Sequence, residues 1–233
     1  MANLTKRNID ILKIIVEEFL NTWDVLWSKA LLKKYDLWVS SATVRNDMAM
    51  LEELELIYQP YASAGRLPTT KGIRAFITYL MDQTPDYFLE SWTLNIKNNN
   101  IKTFEDFIHN ITYELSKKTK EISFFISKED NILKYSWVSY CLTENKKILW
   151  EESICNLIKI LEDKNSFVKF ITSLQIHTWV NVFVGEENII PFLKDYTIIL
   201  KQTIVNWDIC YVGLIWSLKM NYSFNISAIK GII

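Results

Sequence analysis

The sequence predicts an α+β protein in two parts, a helical N-terminal part carrying a small β-wing and a C-terminal part mixing helices with strands. Three observations predict it. Over residues 5–83 apolar side chains recur at helical spacing, broken once by a short alternating stretch that holds Pro60 and Gly65. From residue 122 onward the chain turns to short runs rich in β-branched and aromatic residues, which suit strands. Between the two lies a polar stretch, about 86–121, rich in Asn and Lys. The domain boundary is therefore placed after residue 83, giving parts 1–83 and 84–233.

The helices follow in order. TKRNIDILKIIVEEFL places Ile9, Leu12, Val16 and Phe19 on one face, with Thr5 as N-cap. Ser28 caps a short second helix, KALLKKY, with Leu31 and Leu32 apolar, and Asp36-Leu37-Trp38-Val39 makes a turn. Ser40 and Ser41 cap a third helix on which Val44, Met48 and Leu51 share a face. Helix, helix, short turn, helix is the spacing of a helix-turn-helix. LIYQPYASAGRLPTT then reads as a two-stranded wing with Ser-Ala-Gly at its tip, and Thr69 or Thr70 caps a fourth helix that ends before Pro85.

In the second part, FEDFIHNITYELSKKT is an amphipathic helix, ISFFIS, YSWVSYCLT and KKILW are strands, and 153–175 is helical. TWVNVFVG, YTIILKQTIV and DICYVGLIW complete a sheet.

Composition excludes several classes. The chain has 233 residues, 49% hydrophobic and 23% charged, with net charge −1, so no global basic field marks it out. No apolar run approaches the roughly 18 residues of a membrane span. MANLTKRNIDILK lacks the apolar core of a signal peptide. Cys141, Cys155 and Cys210 are odd in number and widely spaced, which suits reduced thiols in a cytoplasm. His109 and His177 lack metal-ligand spacing, so no metal or cofactor is expected. Ser63, Ser153 and Cys155 have no His and acid at nucleophile spacing, and Glu129-Asp130 reads as a surface loop. No glycine-rich phosphate loop follows a strand, and no enzyme is expected.

The third helix carries the chemistry. Opposite its apolar face lie Ala42, Asn46 and Ala49, flanked by Thr43 and Arg45. Small residues let a helix sink into a major groove, where Arg pairs with guanine O6/N7 and Asn with adenine N6/N7. Ser40, Ser41 and the helix N-terminus favour a phosphate. The plain alternative makes Arg45 and Asp47 solvated surface charges. Residues 1–74 hold ten Lys and Arg against nine Asp and Glu, so distribution must decide. Lys29, Lys33, Lys34, Arg45, Arg66, Lys71 and Arg74 sit where such a domain faces phosphates.

SSATVRNDMAMLEELELI followed by QPYASAGRLPTTKGIRAF resembles the heat-inducible transcription repressor family, HrcA, without gaps from about Leu4 to Met81. In the second part, LSKKTKEISFFIS, VGEEN (184–188) and VGLIWSLKMNY (212–222) resemble further segments of that family. The resemblance implies a cytoplasmic, homodimeric repressor of chaperone operons, with a winged helix-turn-helix ahead of a GAF-like mixed α/β domain. Its expected partners are double-stranded DNA, as an inverted-repeat operator, and a GroEL-type chaperonin. Ser40, Ser41, Thr43, Arg45 and Asn46 would lie against the operator and Arg66 would reach from the wing. Ser28, Lys29 and Lys71 complete the expected DNA-binding set. A second reading has the GAF-like half bind a small-molecule effector, although 122–233 shows no convergent polar pocket.

Two departures stand out. The chain is about a hundred residues shorter than domain sizes in the family imply. The shortfall falls around 153–175, where the family inserts its dimerising segment, and dimerisation would then use other surfaces. The family's Pro-Thr-Arg before Met-Asp-Tyr is Ser-Leu-Lys here. Second, Trp23, Trp27, Trp179 and Trp216 stand at family glycine positions, and Trp207 falls in a turn that suits one. Trp38 and Trp150 also sit in turn-like contexts, while Trp92 and Trp137 have no such match. The chain holds five Gly and nine Trp, where average usage gives about sixteen Gly. This is the pattern expected of a gene whose UGA codons encode glycine but are translated as tryptophan. The alternative is an aromatic cluster of Trp23, Trp27 and Trp38 beside the helix-turn-helix.

Overall fold

A computed structural model describes residues 4–22, 24–35, 39–83, 103–140, 151–174, 176, 179–188 and 193–232. Trp23, the turn at 36–38, the polar stretch 86–102 with Trp92, Cys141, the strand expected at 146–150 with Trp150, and His177 lie outside these. The chain divides into two compact units, Met1–Gln83 and Thr84–Ile233.

The first unit holds α1 (Lys6–Thr22), α2 (Ser28–Lys34), α3 (Ser41–Glu53), β1 (Ile57–Tyr58), β2 (Leu67–Pro68) and α4 (Thr70–Gln83). Thr5 begins α1: its hydroxyl accepts from Asn8 N, and Asn8 Oδ1 accepts from Thr5 N. The buried face of α1 differs from the stripe the spacing suggests. Ile11, Leu12, Ile15 and Val16 are buried, whereas Ile9 and Phe19 are only half-buried. Apolar residues at 11–12 and 14–16 widen the stripe, and packing against both α3 and α4 picks the wider face. Ser28 is the first residue of α2 rather than its cap; Trp27 precedes it with extended backbone and no capping bond. Ser40 does cap α3, accepting from Thr43 N at 3.1 Å, and Thr69 caps α4, accepting from Gly72 N at 3.0 Å.

β1 and β2 pair antiparallel, and Leu26 adds a bridge to Arg66, N–H to O in both directions at 3.0 and 2.9 Å. Ser63 turns the chain between β1 and β2 with φ 68°. Ala64 and Gly65 are not at an exposed tip, as expected from the sequence, but buried against Leu26. Leu31, Val44, Leu51, Ile57 and Ile77 join Ile11 and Ile15 in a core with essentially no exposure. Each such side chain contributes about 1.5–3 kcal/mol relative to remaining exposed.

The second unit holds α5 (Phe104–Thr119), β3 (Ile122–Ser127), β4 (Ile132–Ser136), α6 (Glu151–Glu162), α7 (Lys164–Ser173), β5 (Asn181–Val184), β6 (Tyr196–Val205), β7 (Asp208–Ser217) and α8 (Tyr222–Lys230). The five strands form one antiparallel sheet in the order β4-β3-β7-β6-β5. Every residue of β3 is buried. Successive side chains of a strand point to opposite faces, so Phe125 meets Phe104 and Phe107 of α5 while Phe124 meets Phe167 of α7 edge-on, ring centroids 5.3 Å apart. Helices thus cover both faces, a mixed α/β layering consistent with a GAF-like domain. The strand expected over 135–143 is shorter and earlier: β4 ends at Ser136, the backbone turns left-handed at Trp137 (φ 68°), and 138–140 are helical. No helix among the described residues is long and apolar enough to cross a membrane.

Candidate nucleic-acid interface

The third helix presents two sharply different sides. Val44, Met48 and Leu51 are buried; Ala42, Arg45, Asn46 and Ala49 are exposed. Ser40, Ser41 and Thr43 gather at its N-terminus, where Ser40 Oγ and Thr43 Oγ1 lie 2.9 Å apart. Arg45 folds back along the helix, its guanidinium donating to Ser41 O and Ser41 Oγ, both at 3.3 Å. No acidic side chain among the described residues pairs with it. The expected residues Ser40, Ser41, Thr43, Arg45 and Asn46 are therefore brought together. Ser28 and Lys29 begin α2, which packs on α3, and Lys29 and Lys33 are exposed without an acidic partner among the described residues.

Asp47 is no solvated charge. It is buried, accepting from Arg7 Nε at 2.7 Å, Arg7 Nη2 at 3.2 Å and Asn8 Nδ2 at 2.9 Å. Asn8 is tied in turn to Thr5. This bracket fixes the rotation of α3 against the start of α1. The sequence carried a signal for it: 47 lies between 44 and 51 on the apolar side, a place where a carboxylate persists only if paired. Asp47→Ala leaves the Asn8 amide buried and short of a partner, and is expected to lower the stability of the first unit by about 2 kcal/mol. A urea titration checks this. Lys71→Ala, by contrast, removes a pair whose side chains are 60% and 80% exposed, and should shift stability by under about 0.5 kcal/mol.

The β1–β2 hairpin, the expected wing, behaves differently from expectation. Arg66 does not extend outward: its Nε and Nη2 donate to Glu52 Oε2 at 3.0 and 2.9 Å, and Nη1 donates to Ala64 O at 3.3 Å. It holds the β1–β2 hairpin to the far end of α3. The exposed groups on the wing are instead Tyr58 and Tyr61, which sequence reasoning did not single out. Lys71 pairs with Glu55 at 3.1 Å and Lys34 with Glu18 at 2.6 Å. The bond from Lys34 holds the Glu18 carboxyl below its usual range, despite partial burial. Glu18, Glu52, Glu55 and Asp47 are thus each answered by a cation, while Lys29, Lys33 and Arg45 have no acidic partner among the described residues.

Comparison with known proteins places the chain. Residues 69–226, more than half of it, match the family model described as HrcA protein C terminal domain. The chain belongs to the HrcA family. Three relatives are each named heat-inducible transcription repressor HrcA. That of Clostridioides difficile is 35% identical over 130 residues, 54% of this chain and 37% of the relative. That of Chloroflexus aurantiacus is 51% identical over 81 residues, 35% of this chain and 22% of the relative. That of Mycobacterium leprae is 46% identical over 85 residues, 36% and 25% of the two chains. The chain therefore spans well under half the length of these HrcA relatives. A crystal structure of a hypothetical protein, solved at 2.2 Å, shares the fold with TM-score 0.79 and 18% identity over 98% of each chain.

Among the described residues no group of His, Cys, Asp or Glu is placed to hold a metal. Ser153 donates to Asp195 Oδ2 at 2.5 Å, and Cys155 is exposed. Glu129 and Asp130 are exposed in the β3–β4 turn.

Proposed function

We propose that this HrcA-family chain is a cytoplasmic, sequence-specific DNA-binding repressor of heat-shock operons, acting as a dimer on an inverted repeat. In this reading Met1–Gln83 is a winged helix-turn-helix and Thr84–Ile233 a GAF-like domain. The observation that carries it is the exposed side of α3. Over 41–50 it offers two alanines, Arg45 and Asn46, and its one acid points inward.

In a major groove Arg45 faces guanine and Asn46 adenine. Ser40, Ser41, Thr43 and the helix N-terminus take a phosphate. Lys29 and Lys33 take further phosphates, and Lys71 exchanges Glu55 for one. Arg66 braces the wing, so Tyr58 and Tyr61 make its contact with the sugar-phosphate backbone. Two copies of α3 in successive major grooves block transcription sterically. A GroEL-type chaperonin is the partner proposed to keep the protein folded and active, so that heat releases the operon.

The test is a gel-shift titration on DNA from upstream of the source genome's chaperonin operon. Arg45→Ala is expected to weaken binding by about 1–3 kcal/mol and relax preference at one base pair. Lys29→Ala is expected to weaken binding evenly across sequences and reduce the salt slope by about 1. Unchanged affinity on Arg45→Ala would count against the assignment.

A further inference from the structure

The hairpin joining β6 to β7 turns in two residues. Val205 pairs with Asp208, so only Asn206 and Trp207 lie between the strands. Their φ angles are 52° and 70°. Positive φ at both central positions is the type I′ turn, whose twist suits a hairpin and whose preferred filling is Asn-Gly. Asn206 meets that preference and Trp207 does not. The indole is 100% exposed, so no packing offsets the left-handed backbone beneath it.

Trp137 repeats the pattern at the end of β4, with φ 68°. Its ring touches Tyr140, centroids 4.4 Å apart, but the backbone demand is the same. A bulky side chain in this region is an outlier, whereas glycine adopts it freely. Among the described residues seven non-glycine positions have positive φ, and two are tryptophan; one glycine, Gly185, has it. The whole chain meanwhile holds nine Trp and five Gly. Glycine is scarce where the backbone turns left-handed, and at two of those positions tryptophan, the bulkiest side chain, stands instead.

We infer that the protein made in its own cell carries glycine at positions 207 and 137, the gene writing both with UGA codons that its ribosomes read as glycine. Asn206 with glycine at 207 then makes an ordinary I′ turn, and the fully exposed indole disappears from the hairpin. Not every tryptophan shares this signature. Trp27 has φ −87°, and Trp216 is buried in regular strand, paired with Thr197; neither backbone requires glycine.

Mass spectrometry of the protein isolated from its source cells tests this directly. Trypsin cuts after Lys201 and Lys219, releasing one peptide, Gln202–Lys219, that spans both 207 and 216. Fragment ions are expected to place glycine at 207; tryptophan there overturns the inference. The strain premise has its own check on recombinant protein. Trp207→Gly is expected to raise the urea midpoint of the C-terminal unit above that of Trp207→Ala. A midpoint for Trp207→Gly at or below that of Trp207→Ala means the turn does not demand glycine, and overturns the inference as well.

Discussion

Gly72→Ala is expected to cost the first unit about 3 kcal/mol or more, at the upper end for overpacking, and to abolish DNA binding at growth temperature. A Cβ at position 72 would lie 1.9 Å from Leu56 O. That oxygen cannot move aside, because it already accepts from Thr69 N at 3.0 Å and Thr69 Oγ1 at 3.2 Å. Either α4 lifts away or the turn after α3 opens. Both alter the seat of α3, since α1 packs on α3 and α4 together. Typical domains have only 5–15 kcal/mol of stability in all. A thermal melt with a parallel gel shift reads both effects. A variant that melts with the native protein would show that the contact relaxes without cost.

Glu121→Gln is expected to stabilise the second unit at and above neutral pH by several kcal/mol, and to flatten its pH dependence. Glu121 is buried beside β3, and its Oε1 accepts from Asn225 Nδ2 at 3.4 Å. Burial pushes its carboxyl up to about 8, and the Asn225 bond opposes this only weakly. The sign follows from linkage. The folded state holds the proton more tightly than the unfolded chain, whose glutamates titrate near 4.3. The protonated form is therefore fully accommodated below about pH 4, and its stability is progressively lost as pH rises toward 8. Glutamine keeps the neutral shape throughout. Urea midpoints of the two proteins at pH 5 and pH 8 should be close at the lower pH and well separated at the higher. Equal gaps at both would mean that Glu121 titrates normally.

Most of α3 was legible because two independent signals agreed on it: a serine N-cap and an apolar face at 44, 48 and 51. The exposure of Ala42, Arg45, Asn46 and Ala49 followed from that face alone. What escaped was polar and long-range. Asp47 sits on the apolar side of its helix, yet only the fold brings Arg7 and Asn8 to it, 40 and 39 residues away. Arg66 carried no mark distinguishing a free cation from one held by Glu52. In the second unit the apolar runs mark β6 and β7 where they lie, whereas the aromatic run 135–143 points to a strand later than β4, because it has strand composition throughout and nothing local announces the left-handed break at Trp137. The helix α8 has only a faint mark in the sequence: it is nine residues long, its outer face is no more than Ser223, Ser227 and Lys230, and its start is marked only by Asn221, which accepts from Phe224 N at 3.1 Å.

The order of strands has a consequence for how the molecule is born. β3 is flanked by β4 and by β7, and its Ile122 finds Ile215 only at the far end of the chain. During synthesis the first unit can close soon after it leaves the ribosome, because all its elements lie within Met1–Gln83. The sheet cannot. Until β7 emerges, one edge of β3, a strand whose every residue ends up buried, stays bare and open to any passing strand. A newly made molecule therefore completes its first unit before its second, and the second is the half that a cell short of folding help would lose first.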